Sequence, residues 1–217
     1  MVKNTINYMK KPTKNIVEAF LAQSNFIEGE YSEVAFEDSK LAWDYAVKIL
    51  SRLEPGITVE DILKIHYYLM KTLRPDIAGK IRTGDVWIGG QRKFFISEAL
   101  IKEELARVCK EINDDVPTTD FPWKRAQRVH VMFEDFHPFF DGNGRTGRIL
   151  YNLHRLKIGL PIHVIHEGEE QMQYYQWFQG ECKHQFWRDR NPAECFNCGK
   201  TEEELFNKKY VKKQEKT

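Results

Sequence analysis

His137-Pro-Phe-Phe-Asp-Gly-Asn-Gly-Arg-Thr-Gly-Arg148 constrains this chain more than any other stretch. It lies between two segments of helical apolar spacing. Trp123, Ala126, Val129, Val131, Phe133 and Phe136 form the incoming stripe; Ile149, Leu150, Leu153 and Leu156 form the outgoing one, stopped by Gly159 and Pro161. The chain must therefore leave one helix, turn, and open another within a few residues. Gly142 and Gly144 permit backbone angles that other residues resist. A helix opened by such a turn aims several backbone N–H groups at one spot, which suits an anion.

The side chains of the run fit that anion. Arg145 and Arg148 are three apart on the outgoing helix and project toward its same end. A guanidinium fork matches phosphate oxygens. Asp141 would repel a phosphate unless a Mg²⁺ lay between them. His137, where the incoming helix ends, accepts a proton near neutral pH. Two other glycine-rich readings are excluded. A phosphate-binding P-loop requires Gly-Lys-Ser/Thr, which is absent. A calcium loop counted from Asp141 requires glutamate where Asn152 stands. A plain helical corner with solvated arginines remains the bland alternative.

The rest of the chain reads as mainly α. Residues 15–27 carry Ile16, Ala19, Phe20, Ala22 and Phe26 at helical spacing, with Gly29 as a stop. Residues 38–53 form an amphipathic helix ended by Pro55-Gly56, and Thr58-Val-Glu-Asp61 is a capping box for a helix through Leu73. Residues 79–95 change period. Val86-Trp-Ile88 and Lys93-Phe-Phe-Ile96 around Gly89-Gly90 predict a β-hairpin. Helical spacing resumes over 97–113, and a last core helix is expected over 168–180. Residues 1–13 are polar and expected to be loosely held, and 201–217 are charged.

Length and charge exclude other classes. A chain of 217 residues suits one domain and can bury a core without staples. Lysine and arginine exceed aspartate and glutamate by 33 − 32 = 1, so nucleic acid is not an expected partner. No run of about 18 apolar residues would span a membrane. The N-terminus lacks a signal-like apolar segment, so a cytoplasmic location is expected and disulfides are not. Cys109 lies on an apolar helical face. Cys182-x-His184 and Cys195-x-x-Cys198-Gly199 have the four-ligand count of a structural Zn²⁺ site; the competing reading is separate thiols.

The run at 137–148 resembles the signature of Fic-domain (Fido) proteins, His-Pro-Phe-x-(Asp/Glu)-Gly-Asn-Gly-Arg-x-x-Arg, without a mismatch. The resemblance reaches from 13 to 180: Gly79-Lys-Ile-Arg82, Val86-Trp-Ile-Gly-Gly90, His66, His130 and Gly159-Leu-Pro161 stand where similar sequences carry them. It implies a Fic-type helical bundle with a short β-hairpin flap, occupying 14–180, with a C-terminal extension over 181–217. It implies transfer of AMP from ATP to a Ser, Thr or Tyr hydroxyl of a target protein, self-modification included. His137 would be general base, and Asp141 would hold Mg²⁺. Gly142, Asn143 and Gly144 would cradle phosphates, with Asn143 at the α-phosphate. Arg145 would serve the β-phosphate region and Arg148 the γ-phosphate. The catalytic residues would be His137, Asn143 and Arg145. Phe139 would be structural. Tyr174 or Tyr175 would line the adenine pocket, and the hairpin would clamp the target backbone.

A second stretch, Ser24-Asn-Phe-Ile-Glu28-Gly29, matches the family's inhibitory pattern (Ser/Thr)-x-x-x-Glu-(Gly/Asn). It implies an inhibitory helix at about 15–28. Glu28 would take the partner of the γ-phosphate, Arg148, with Ser24 one turn earlier to orient it. Two other functions stay open. One is removal of AMP from a modified target, with Glu28 orienting water. The other is a nucleic-acid or partner-binding C-terminal module regulated by the Fic region.

Overall fold

The computed structural model describes residues 12–52, 56–88, 91–114 and 122–178. Among these, the chain folds as seven helices and one two-stranded sheet: α1 (Lys14–Phe26), α2 (Glu33–Leu50), α3 (Val59–Met70), β1 (Val86–Ile88), β2 (Gln91–Lys93), α4 (Glu98–Asn113), α5 (Pro122–Phe136), α6 (Asn143–Lys157) and α7 (Glu169–Gln176). The mainly α expectation holds, and so does the hairpin. Its strands run antiparallel, pairing Val86 with Lys93 and Trp87 with Arg92.

The helices begin where the chain offers side-chain acceptors. Ser32 and Ser97 cap α2 and α4. Thr58 and Asp61 form a reciprocal capping box on α3, worth about 1 kcal/mol. Several boundaries shift from the sequence reading; the second strand is Gln91–Lys93 rather than Lys93–Ile96, and the last helix is Glu169–Gln176 rather than 168–180. Helix α2 starts earlier, at Glu33, because Ser32 caps it. Helix α3 ends at Met70 rather than Leu73. Helix α1 ends at Phe26, and Glu28 lies in the turn beyond it, which Gly29 closes at φ 71°.

Helix α6 runs through the centre. All but three of its residues are buried. It packs on α1, α2, α3 and α5. The main core joins Phe20 and Leu21 of α1, Trp43 and Ile49 of α2, Ile62 and Leu69 of α3, Leu105 of α4, Phe133 of α5 and Leu153 of α6. Cys109 is buried in it, and burial pushes its thiol up to about 12, which fits the core assignment. Helix α7 is not part of this core. Only its Tyr174 is buried, in a satellite with Ile27, Ile165, Trp177 and Phe178. A central buried helix whose N-terminus carries Gly142-Asn143-Gly144 places the signature run where α1, α3 and α5 converge.

Candidate active site

The corner between α5 and α6 is held by its own side chains. Gly142 adopts φ 74° as N-cap of α6, a conformation that costs a residue with a Cβ about 1 kcal/mol or more. A Cβ there would also press on Met70 and His66. The buried Asn143 side chain accepts from the Phe139 amide and donates to the Phe139 carbonyl, both at 2.9 Å. It clamps the loop, so what Asn143 offers an anion is its backbone N–H. Phe139 is fully buried and stacks on His66 with ring centroids 3.7 Å apart.

His66 supports the corner from α3. Its Nδ1 accepts from the Gly79 amide at 3.0 Å, so its Nε2 carries the proton and donates to the Asp141 carbonyl at 3.0 Å. Burial lowers its pKa to about 4, which keeps it neutral for this role. Arg82, buried beneath the hairpin, donates to the carbonyls of His137, Gly84, Phe94 and Phe136 at 2.7–3.3 Å. Its own amide bonds to the Pro138 carbonyl. One guanidinium therefore ties the hairpin base to the loop that bears His137.

His137 takes a positive φ of 48°, rare for a residue with a Cβ. That turn brings its Nδ1 to 3.2 Å from the Glu134 carbonyl. A ring nitrogen facing a carbonyl must donate, so Nδ1 carries the proton and Nε2 is the base. Burial lowers its pKa to about 4, with Lys93 and Arg82 acting in the same direction, so the ring is neutral at pH 7.

The two arginines part ways. Arg145 is buried toward α3, with Nη2 3.4 Å from Met70 Sδ and 3.7 Å from Asp141 Oδ1. Arg148 is buried toward α1. Its Nε donates to Ser24 Oγ at 2.9 Å, and its Nη2 to the Ser24 carbonyl at 2.8 Å and to Glu28 Oε1 at 2.6 Å. Its Nη1 donates to the Tyr174 hydroxyl at 3.3 Å. Burial opposes its charge, but Tyr174 and Glu28 prevail and raise its pKa. Ser24 thus acts on Arg148, not on Glu28 directly. The Glu28 carboxylate also lies over the first turn of α6: a Cβ at residue 144 would run into Glu28 Oε1. A carboxylate rests where the helix N-terminus receives an anion.

Asp141 is half exposed. Its Oδ1 accepts from the Gly142 amide at 2.6 Å, and its Oδ2 has no hydrogen-bond partner among the described residues. No group of three or more His, Cys, Asp or Glu side chains there could cage a metal. A lone carboxylate beside an anion-binding helix end fits Mg²⁺ that arrives with polyphosphate and keeps several waters.

Tyr174 borders a small cleft with His163, Ile165 and Trp177. It is buried, accepts from Arg148 and donates to His130 Nε2 at 2.9 Å. Tyr175 is more exposed and accepts from Gln171. Trp87 on the hairpin is 70% exposed, available to a partner at the site's edge. Cys182, His184, Cys195 and Cys198 lie outside the described residues. His66, Met70, Arg82 and Glu134 were not assigned roles by the sequence. His66 and Arg82 were visible only as members of the resemblance, and Met70 and Glu134 carried no signal. No helix among the described residues is long and apolar enough to cross a membrane.

The chain is thus a helical bundle whose central helix opens on a Gly-Asn-Gly corner, with two buried arginines and a neutral histidine around it. Residues 56–154 match the model of the Fic/DOC family, and the chain is a Fic-domain protein. It is 33% identical over 163 residues to protein adenylyltransferase fic-1 of Caenorhabditis elegans, covering 75% of this chain and 31% of that protein. It is 29% identical over 168 residues to protein adenylyltransferase Fic of Drosophila erecta, covering 77% and 32%. The chain thus spans about a third of the length of these curated relatives. Its fold is similar to that of a Fic-1 segment from C. elegans, with a TM-score of 0.60 at 24% identity, covering 78% of this chain and 58% of the other. A Fic domain containing signaling protein from Bacteroides thetaiotaomicron gives a TM-score of 0.61 at 20% identity, covering 75% and 70%.

Proposed function

We propose that this protein transfers AMP from ATP to a Ser, Thr or Tyr hydroxyl of a protein, itself included, and that Glu28 holds the activity down. The observation that carries the reading is the contact of His137 Nδ1 with the Glu134 carbonyl at 3.2 Å. The Nδ1 proton is given to the Glu134 carbonyl, which leaves Nε2 as a base beside an anion-binding helix end. The names of the curated relatives support the same reaction.

The target hydroxyl gives its proton to His137 Nε2 as its oxygen bonds to the α-phosphorus. The bond from that phosphorus to the bridging oxygen breaks, and pyrophosphate leaves. The backbone amides at the start of α6, with Arg145 and Arg148, hold the phosphates in line and offset their charge. Asp141 would hold Mg²⁺, which supplies further charge neutralisation between the phosphates. The hairpin offers backbone to an extended target segment.

Glu28 works against this in two ways. It takes Arg148 from the phosphates, and it puts a negative charge at the helix end that must receive them. ATP would then bind with its phosphates displaced. The test is Glu28→Gly protein with Mg²⁺ and ATP labelled at either the α- or the γ-phosphorus, with Glu28→Gly/His137→Ala as blank. Label from the α position should stay on protein, and label from the γ position should leave with pyrophosphate. Retained γ label would point to phosphate transfer and defeat the reading. Release of AMP from a pre-modified target in preference to its addition would assign the opposite direction to the same site.

A further inference from the structure

Glu134 is a buried acid that the mechanism above does not use. It sits on α5 one turn before His137. Its Oε2 lies 3.7 Å from His137 Nδ1, and its Oε1 is buried with no hydrogen-bond partner among the described residues. A buried carboxyl with an unmet oxygen costs about 1–3 kcal/mol or more. Helix α6 makes room for it: a Cβ at residue 147 would run into Glu134 Oε1 and crowd the His130 ring. A glycine thus stands between Arg145 and Arg148 where any larger residue would evict this carboxyl.

The groups around it bear on its charge. His130, Asp135 and His137 come from its own helix and the loop that follows. Arg148 approaches from α6, Tyr174 from α7, and Glu28 from the turn after α1. Burial raises its pKa to about 8, opposed by Arg148 and reinforced by Glu28 and Asp135. Its ionisation is therefore set near neutral pH and depends on where Glu28 is.

We propose that Glu134 is the positioning carboxyl of the base: it stands 3.7 Å from His137 Nδ1, and its ionised form stabilises the imidazolium created when Nε2 takes the target's proton. This rests on the adenylyl-transfer reading above. The imidazolium would otherwise form in a buried site beside Lys93 and Arg82, both of which disfavour it. A carboxylate beside the non-reacting nitrogen is a known remedy in other folds. It follows that Glu28 acts twice. It occupies Arg148, and its charge favours the protonated form of Glu134, while the same charge acting directly on His137 favours the imidazolium.

The test compares Glu134, Glu134→Gln and Glu134→Asp in the Glu28→Gly background. The readouts are single-turnover AMP transfer from pH 5 to 9, ATP affinity and melting temperature. Glu134→Gln should lose roughly tenfold to a hundredfold in rate above pH 8 with ATP affinity unchanged. It should also lose the limb that rises with pH as Glu134 ionises, which lies below about 8 once the Glu28 charge is gone, while the more acidic limb set by His137 persists. Glu134→Asp should keep the upper limb at a lower rate. A Gln variant with the parent's profile overturns the proposal, as does a loss of ATP affinity matching the loss of rate, or an Asp variant as flat as Gln. Absence of transfer by the Glu28→Gly parent would instead sink the adenylyl-transfer reading itself.

Discussion

Glu28 and Arg148, 120 residues apart in the chain, meet at 2.6 Å over the first turn of α6. The arginine is buried, while the glutamate side chain is 37% exposed. An ion pair with one partner anchored and the other at the surface can open without unfolding the core. Arg148 keeps Ser24 and Tyr174 when Glu28 leaves, so the site survives the opening.

Ser24 sets how firmly Arg148 points at Glu28. A hydrogen bond to a charged group contributes about 1.5–3 kcal/mol. Ser24→Ala removes the Oγ acceptor but leaves the Ser24 carbonyl. Basal AMP transfer should rise several-fold, to a level below that of Glu28→Gly. Initial rates of the three proteins side by side check the order.

Gly144→Ala separates freeing the helix end from using it. The added Cβ runs into Glu28 Oε1 and stands 2.9 Å from Arg148 Nη1. It should displace Glu28, yet it also fills the place of the phosphates. The expected outcome is loss of ATP binding without gain of transfer, read by calorimetry and labelling. Activation like that of Glu28→Gly would contradict the placement of the phosphates.

Arg82 should matter to stability first. Its side chain serves four backbone carbonyls at the base of the hairpin and in the His137 loop. Arg82→Gln leaves several of them unmet, at roughly 3 kcal/mol or more in total. For a domain of this size the melting temperature should fall on the order of 10 °C. A shift of only a degree or two would show that the tie is dispensable.

Stability should peak near pH 6.5. Burial holds His66, His137 and His154 at about 4 and His130 at about 3, against 6.5 unfolded. The unfolded chain therefore gains protons first as pH falls, and stability drops from 6.5 toward 4, by up to about 1.4 kcal/mol per unit for each group. Glu134 works in the other direction. It keeps its proton to about 8 when folded and releases it near 4.5 when unfolded, so its contribution is full below 4.5 and is lost as pH rises toward 8. Urea melts at pH 5, 6.5 and 8 should trace both arms, and Glu134→Gln should flatten the alkaline one.

The signature run made the corner legible because its residues are local. Glycines, histidine and arginines within twelve positions determine one turn and its chemistry. The pairing of Glu28 with Arg148 was reached only through the family resemblance, since no local pattern reports a contact 120 residues away, and the contact of Ser24 with Arg148 was not foreseen. The family resemblance implied Asn143 at the α-phosphate. That its side chain bridges the Phe139 amide and carbonyl is loop geometry that periodicity does not encode. Glu134 was hidden for another reason. One of two adjacent acids within an amphipathic helix reads as solvent-facing, and the space left by Gly147 shows that Glu134 points inward. Tyr174 was expected on a core helix, yet α7 is short and buries that one ring against His130 and Arg148.

The measurement that bears most directly on the account is self-labelling by wild-type and Glu28→Gly protein at saturating α-labelled ATP and Mg²⁺, with Glu28→Gly/His137→Ala as blank. The wild type should stand near the blank and Glu28→Gly should exceed it by tenfold or more, as release of a buried charged contact worth a few kcal/mol requires. Equal labelling of wild type and Glu28→Gly would contradict it, whether both are active or both are silent.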